Sequence, residues 1–473
     1  MVFMSEVLCI VAEMKVGAPR KICGWVIFQV LLLHLLQSVH SQRSQNKLNI
    51  TKPGQNISAL TVQLSGVDQD KVVIDNGIIQ VTFSSPQGSI TGIRYNGIDN
   101  VLDDEVDYRR RGYWDVAWYD RERNSKLTSE LEGTRFEIIT ENEEQVEISF
   151  TRTWTISKGG SMVPLNVDKR YIIRTGVSGI YMYAILERLE GWPDVDMDQI
   201  RMVFKLNHTK FDFMAISDDR QRSMPSMADR NHAKPLAYKE AVLLTNPRNP
   251  MFKGEVDDKY MYSMEDKDNN VHGWISSDPP VGFWMITPSD EFRLGGPIKQ
   301  DLTSHAGPIT LSMFMSTHYA GKEMRMGYRN GEPWKKVFGP VLAYLNSVSH
   351  NASTLHLWRD AKRQMAAEVQ SWPYDFVDSE DYPLSHQRGR IQGQFYIKDR
   401  SNIYGKFAFI GLAPVGEAGS WQTESKGYQF WTKADRKGRF VIENVRTGDY
   451  SLYAWCIGFI GDYKYEQNIT ITP

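Results

Sequence analysis

The sequence predicts a mainly β chain, a large β-sandwich followed by a small one. Short β-rich runs recur from residue 66 onward, broken by Asn-Gly and Pro-Gln-Gly turns. Apolar and polar residues alternate inside several of these runs. A single amphipathic helix pattern stands out among them. At 473 residues the chain suggests two or three domains with ample core.

The amino terminus reads as a targeting signal. Arg20 and Lys21 precede the apolar run "WVIFQVLLLHLL" (Trp25 to Leu36), and "QSVHSQ" follows with a cleavage site near Ser41. The run is short for a bilayer span, although a signal anchor is the competing reading, and a start at Met14 would shorten the positive region. Residues 1–41 are therefore expected to be a signal peptide. Five N-x-S/T sequons, at Asn49, Asn56, Asn207, Asn351 and Asn468, fit a secreted, extracellular glycoprotein. Cys9 and Cys23 lie in the leader, so Cys456 stands alone afterwards, with no internal disulfide and no Cys-based metal site expected. No later segment approaches transmembrane length, so no membrane association is expected after cleavage.

Residues 42–65 are polar and read as a linker. The first domain is placed at 66–380. It opens with "KVVIDNGIIQVTFSSPQGSITGIRYNG" (Lys71 to Gly97), three strands split by turns. In "EQVEISFTRTW", Val146, Ile148 and Phe150 alternate with polar residues, as a half-buried strand would. "DKRYIIRTGVSGIYMYAIL" and "GPITLSMFMST" continue the pattern, most simply as a large sandwich. The helix "STLHLWRDAKRQMAAEVQSWP" puts Leu355, Trp358, Ala361, Met365 and Val369 on one expected packing face and ends at Pro373. Regularly spaced strands over 386–473 predict a small sandwich of the immunoglobulin or fibronectin sort.

Lys+Arg total 55 and Asp+Glu 57, a net charge of −2, so neither nucleic acid nor an anionic membrane is an expected partner. There is no phosphate-binding G-x-x-x-x-G-K-S/T loop, no H-E-x-x-H, no G-x-S-x-G and no Cys/His cluster. Paired carboxylates for glycoside hydrolysis stay open, because the acids are too many to pair by eye.

Several long blocks carry a resemblance: "VIDNGIIQVTF", "DQIRMVFKLN", "DDKYMYS", "VHGWI", "PSDEFRLGGPIKQDLTSHAGP" and "MFMSTHYAG". Together they resemble the plant rhamnogalacturonan (rhamnogalacturonate) lyases of polysaccharide lyase family four. The resemblance implies that the large sandwich is galactose-mutarotase-like and the small one fibronectin-III-like. It implies a third, carbohydrate-binding jelly-roll domain too, which "QNITITP" at the end of this sequence leaves out. The implied reaction is β-elimination on rhamnogalacturonan I, the backbone of a cell-wall pectin, leaving a 4,5-unsaturated galacturonate end. No cofactor is required and no metal site is assigned, although a structural calcium is compatible with the family. The expected state is a monomer.

Under the resemblance, Lys259 matches the base and His318 the acid, while Arg201 matches a group that grips the uronate carboxylate. His272, His305 and Tyr260 join them as substrate-binding candidates. Read from local sequence alone, each has a plainer explanation. In an extended segment Asp257 would share the face of Lys259, so an ion pair is the simple reading. Arg201 could pair on the sheet face with Asp196 or Asp198, and His318 could be structural. Where the family carries aromatics before the acid, this sequence has Leu311 and Met313, with Phe314 nearby, which suggests a differently built sugar subsite. The run "YRRRGYWDVAW" (Tyr108 to Trp118) mixes arginines and aromatics, as a solvated surface or an acidic-glycan groove would. Two other classes compete with a lyase: a sugar epimerase on the same fold, and a catalytically impaired wall-glycan binding protein.

Overall fold

The structure is a computed structural model. It describes residues 60–473 apart from 66–69, 122, 159–161, 239, 351–352, 399–401 and 459–461, together with two short strands, Glu13–Val16 and Val26–Ile27. These two strands pair with each other, and the first also pairs with Tyr463–Tyr465. The expected cleavage site and nearly all of the expected linker lie outside the described residues.

Two large antiparallel sheets face each other. One runs in the order Ser304–His305, Ile309–Ser316, Val195–Lys205, Gly112–Asp120, Ile90–Tyr95, Ile79–Ser84, Lys71–Asp75 and Thr61–Ser65. The other includes Val271–Ser277, Pro280–Ile286, Trp334–Ser347, Gly179–Arg188, Asn166–Arg174 and Gln145–Arg152. Inward side chains of both sheets, among them Val81, Trp114, Ile200, Phe283 and Phe338, form one continuous core. The first three strands fall where the turn residues put them, with Gly77 and Gly97 at positive φ where a side chain would strain the turn.

Two expectations are corrected. The Gln145–Arg152 strand is not half-exposed: Glu147 on its polar face is fully buried. Tyr183 Oη donates to that carboxylate at 2.5 Å and Arg170 at 3.1 Å, and the backbone N–H of Asp378 donates at 3.0 Å, because the chain after the helix folds back over this face. The helix, Leu355–Ser371, buries Leu357, Trp358, Ala361 and Glu368, whereas Leu355 is 52% and Val369 43% exposed. The buried stripe is rotated because Glu368 turns inward to accept from Tyr181 Oη (3.2 Å) and Tyr374 Oη (2.6 Å). A buried carboxylate with two such donors is tolerated where an unpaired one would not be.

The small sandwich has its own core, including Ile391, Phe395, Ile410, Leu412, Phe440 and Leu452. It is locked to the large one by a buried triad. Glu291 accepts from Arg388 Nη1 at 2.6 Å and from Arg446 Nε at 2.9 Å. Burial pushes the Glu291 carboxyl up, but the two guanidiniums outweigh it and hold the group below its ordinary value.

Among the described residues no helix is long and apolar enough to cross a membrane. Of the sequon asparagines, Asn468 is exposed and Asn207 half-buried, and the other three lie outside the described residues.

Candidate active site

The site is built on the outer face of the first sheet. In the Val195–Lys205 strand, Ile200, Met202 and Phe204 point into the core, which leaves Arg201 and Val203 on the opposite face. Register places Asp115 and Met313 beside Arg201 on its two neighbouring strands. Asp115 is buried and takes the guanidinium in a fork, from Nε at 2.8 Å and Nη2 at 2.9 Å. Asp196 and Asp198, the partners the sequence offered, instead meet Arg325, Arg329 and Lys126. Burial works against the Arg201 charge, but Asp115 more than compensates and raises the group above its ordinary value.

From Arg201 a line of contacts leads toward Lys259. Arg201 Nη1 donates to His305 Nε2 at 2.6 Å. Arginine has no acceptor, so Nε2 receives, and Nδ1 carries the ring proton that goes to Glu240 Oε2 at 2.9 Å. The other Glu240 oxygen stands 3.9 Å from Lys259 Nζ.

Lys259 does not lie in an extended segment. It opens a 3-10 turn, Lys259–Met261, capped by Asp258, whose carboxylate accepts from the Tyr260 backbone N–H at 3.2 Å. The expected partner Asp257 is turned away and held by Arg230 and the Tyr262 hydroxyl. Both neighbouring acids are thus committed elsewhere, and the amine lies over the Tyr260 ring, 5.4 Å from its centroid.

His318 approaches the same ring from another side, with centroids 6.0 Å apart. It sits two residues past the end of the Ile309–Ser316 strand. Burial, with the nearby Lys259 charge adding to it, lowers this imidazole to about 4. The next residue, Tyr319, closes the wall by donating from its hydroxyl to the Tyr260 carbonyl at 2.9 Å.

Backbone strain marks the same place. Among the described residues seven non-glycines have positive φ, and four are asparagines, which adopt it readily. Of the remaining three, Glu240 (φ 72°) and Tyr319 (φ 62°) both belong to this cleft. Strain of this sort persists only where surrounding contacts impose it.

The structure therefore brings together Lys259, Tyr260, His318, His305 and Arg201. It removes His272 from the substrate-facing set: the ring is 2% exposed, with Nε2 donating to the Leu311 carbonyl at 2.8 Å and Nδ1 meeting the Asn269 side-chain amide at 2.7 Å. Leu311 and Met313 are buried with Tyr113, Val203 and Leu302 as the floor under the site. The residues that sequence reading missed are Glu240, Asp115 and Ser316. Asp115 lay inside the arginine-aromatic run, but only strand register shows which arginine it serves. No group of three or more His, Cys, Asp or Glu side chains among the described residues could hold a metal ion.

A two-sandwich β protein in which an amine, two imidazoles and a guanidinium converge around tyrosines is suited to an anionic, ring-shaped ligand. The rhamnogalacturonate lyase family matches residues 43–256, and domain II of polysaccharide lyase family 4 matches residues 405–473. Over these residues the chain is similar to the rhamnogalacturonate lyase family. It is 25% identical over 407 residues to a rhamnogalacturonate lyase of Dickeya dadantii, covering 85% of this chain and 62% of that protein. It is likewise 25% identical over 433 residues to rhamnogalacturonate lyase B of Emericella nidulans, covering 86% and 61%. The chain thus spans about three fifths of the length of these curated relatives. A solved polysaccharide lyase chain is a looser likeness, with a TM-score of 0.30, 8% identity, and coverage of 88% of this chain and 47% of that one.

Proposed function

We propose that the protein is a secreted polysaccharide lyase that cuts rhamnogalacturonan I at the bond from rhamnose to galacturonate by β-elimination. The observation that carries this is the placing of Lys259 and His318 against one tyrosine ring, at 5.4 and 6.0 Å, with Arg201 linked to them through His305 and Glu240. The relatives' names support the substrate class.

Elimination needs three things at once. The uronate carboxylate must be neutralised, or the adjacent C5 proton is too weakly acidic to leave. Of the five Arg201 N–H groups, three point at Asp115 and His305 and the Gln199 amide oxygen takes a further one from Nη1 at 3.1 Å, which leaves one on Nη2 for a substrate carboxylate. A base must take the C5 proton, and in this reading that is the Lys259 amine in its uncharged form. The electron pair of the C5–H bond becomes the C4=C5 double bond as the C4–O4 bond breaks, and His318 protonates the departing oxygen. No water is consumed. Tyr260 forms the wall against which the sugar ring packs. The protein acts as a monomer in the extracellular space, on the cell-wall polysaccharide.

The test is ultraviolet detection of the conjugated product on rhamnogalacturonan I, with wild type, Lys259→Ala and His318→Ala. A loss of about 10²–10⁴-fold in each variant, at unchanged melting temperature, is expected. Binding of the polymer by wild type with no product would make the protein a glycan-binding module. Full activity in either variant would overturn the site.

A further inference from the structure

We propose that Ser316 is a positioning residue: its hydroxyl holds the resting proton of His318 on Nδ1, so that Nε2 is the nitrogen that exchanges a proton with substrate. The inference rests on reading His318 as a proton-transfer group, and it adds the device that orients the ring.

Ser316 is the last residue of the Ile309–Ser316 strand and is fully buried. Its Oγ lies 2.7 Å from Asp301 Oδ1. Asp301 is itself buried in an ion pair with Lys299, and a carboxylate accepts only. The single hydroxyl hydrogen of Ser316 is therefore spent on Asp301, and toward every other neighbour Oγ is an acceptor. One of its two lone pairs takes the His318 backbone N–H at 3.2 Å, while the Lys299 amine, 3.3 Å away, is committed to Asp301 Oδ1 at 2.5 Å, which leaves the second lone pair open. The His318 ring nitrogen Nδ1 faces the same oxygen at 3.3 Å. A bare Nδ1 there would oppose one lone pair with another, so Nδ1–H is the form that fits.

The consequence concerns the other nitrogen. With Nδ1 protonated, the neutral ring has its lone pair on Nε2, which makes no hydrogen bond with the described residues. In the reacting form the proton that Lys259 gives up sits on Nε2 as the imidazolium, and giving it to the leaving O4 returns the ring to the form Ser316 prefers. The ring then needs neither a flip nor a change of tautomer during turnover. The charged and titratable groups facing the ring are Lys259, Asp301, Lys299 and His305. Behind them Asp266 is wholly buried with neither oxygen hydrogen-bonded, and burial together with Asp301 raises its carboxyl well above the usual range. Asp301 is the carboxylate that Ser316 and Lys299 share.

The test reads the ring directly. Long-range proton–nitrogen spectra of the ¹⁵N-labelled full chain, assigned by the signals lost in His318→Gln, report which nitrogen of His318 is protonated near neutral pH. Wild type is expected to show Nδ1 protonated and Nε2 bare. Ser316→Ala is expected to shift the ring toward Nε2–H and lower kcat by about five- to tenfold at unchanged KM, while Ser316→Thr, which keeps the hydroxyl, restores both. Nε2–H in wild type, or an unmoved tautomer in a folded Ser316→Ala, overturns the proposal. The wild-type spectrum decides the matter even if the alanine variant fails to fold. Because the spectra need no turnover, a protein inactive on rhamnogalacturonan would sink the lyase reading and leave this inference separately testable.

Discussion

Lys259 Nζ lies 3.9 Å from Glu240 Oε1, although two aspartates precede the lysine directly in the chain. Asp257 is bound to Arg230 and Tyr262, Asp258 accepts from the Tyr260 backbone N–H, and the carboxylate nearest in space is nineteen positions away on a strained backbone. Glu240 also holds His305, so it stands between the lysine and the arginine of the cleft.

A negative charge near Lys259 favours the ammonium, and the proposed base must be the free amine. Glu240→Gln keeps an acceptor for His305 Nδ1–H and removes the charge. The expected outcome is a higher kcat/KM near neutral pH. Rates measured from pH 4 to 10 check this, and an unchanged profile would mean that Glu240 does not act on the lysine.

The acid limb has its own expected position. An ordinary histidine titrates near ~6.5, but burial and Lys259 bring His318 to about 4. Above that value the ring is neutral, and the pair shares a proton between donor and acceptor. Below it the ring is cationic, and the pair has no acceptor left. kcat/KM should therefore hold down to about pH 4 and fall below it. A break near the ordinary histidine value would show that the ring is not shielded as the structure has it.

His272 carries a stability prediction. Burial lowers it to about 3 in the native protein. Between the ordinary ~6.5 and that value the unfolded chain binds a proton that the native one refuses, so stability rises with pH across the window and is lost as pH falls through it. The full loss is about 5 kcal/mol at most. His272→Gln, which cannot be charged, should show a flatter dependence of urea midpoint on pH than wild type between pH 6.5 and 3.

The domain junction gives a fourth test. Glu291→Gln leaves Arg388 and Arg446 buried without their shared anion. Breaking one side of such a buried set costs about 3–5 kcal/mol. Equilibrium denaturation should show that loss, together with separation of the unfolding of the two sandwiches. A variant as stable as wild type would show that packing alone holds the junction.

Much of this was legible in the residues. The Asn-Gly and Pro-Gln-Gly punctuation placed the first strands, since few residues other than glycine and asparagine accept the left-handed turn geometry. The late helix and its stop before Pro373 were legible for the same local reason. The helix face was misjudged because Glu368 reads as polar and exposed, and only the two tyrosines that reach it, Tyr181 from a distant strand and Tyr374 from the segment just after the helix, explain its burial.

The site divides along the same line. By itself the sequence determined the strand pattern, the turns, and the residue types at Lys259, His318 and Arg201, because backbone preference and motif identity are local. Tertiary structure alone decided which charges meet. It gave Asp115 to Arg201 by strand register and Glu240 to Lys259 by a strained loop, and it buried His272. Electrostatic coupling falls off with distance in space and ignores distance along the chain, so no reading of neighbours in sequence could have assigned those partners.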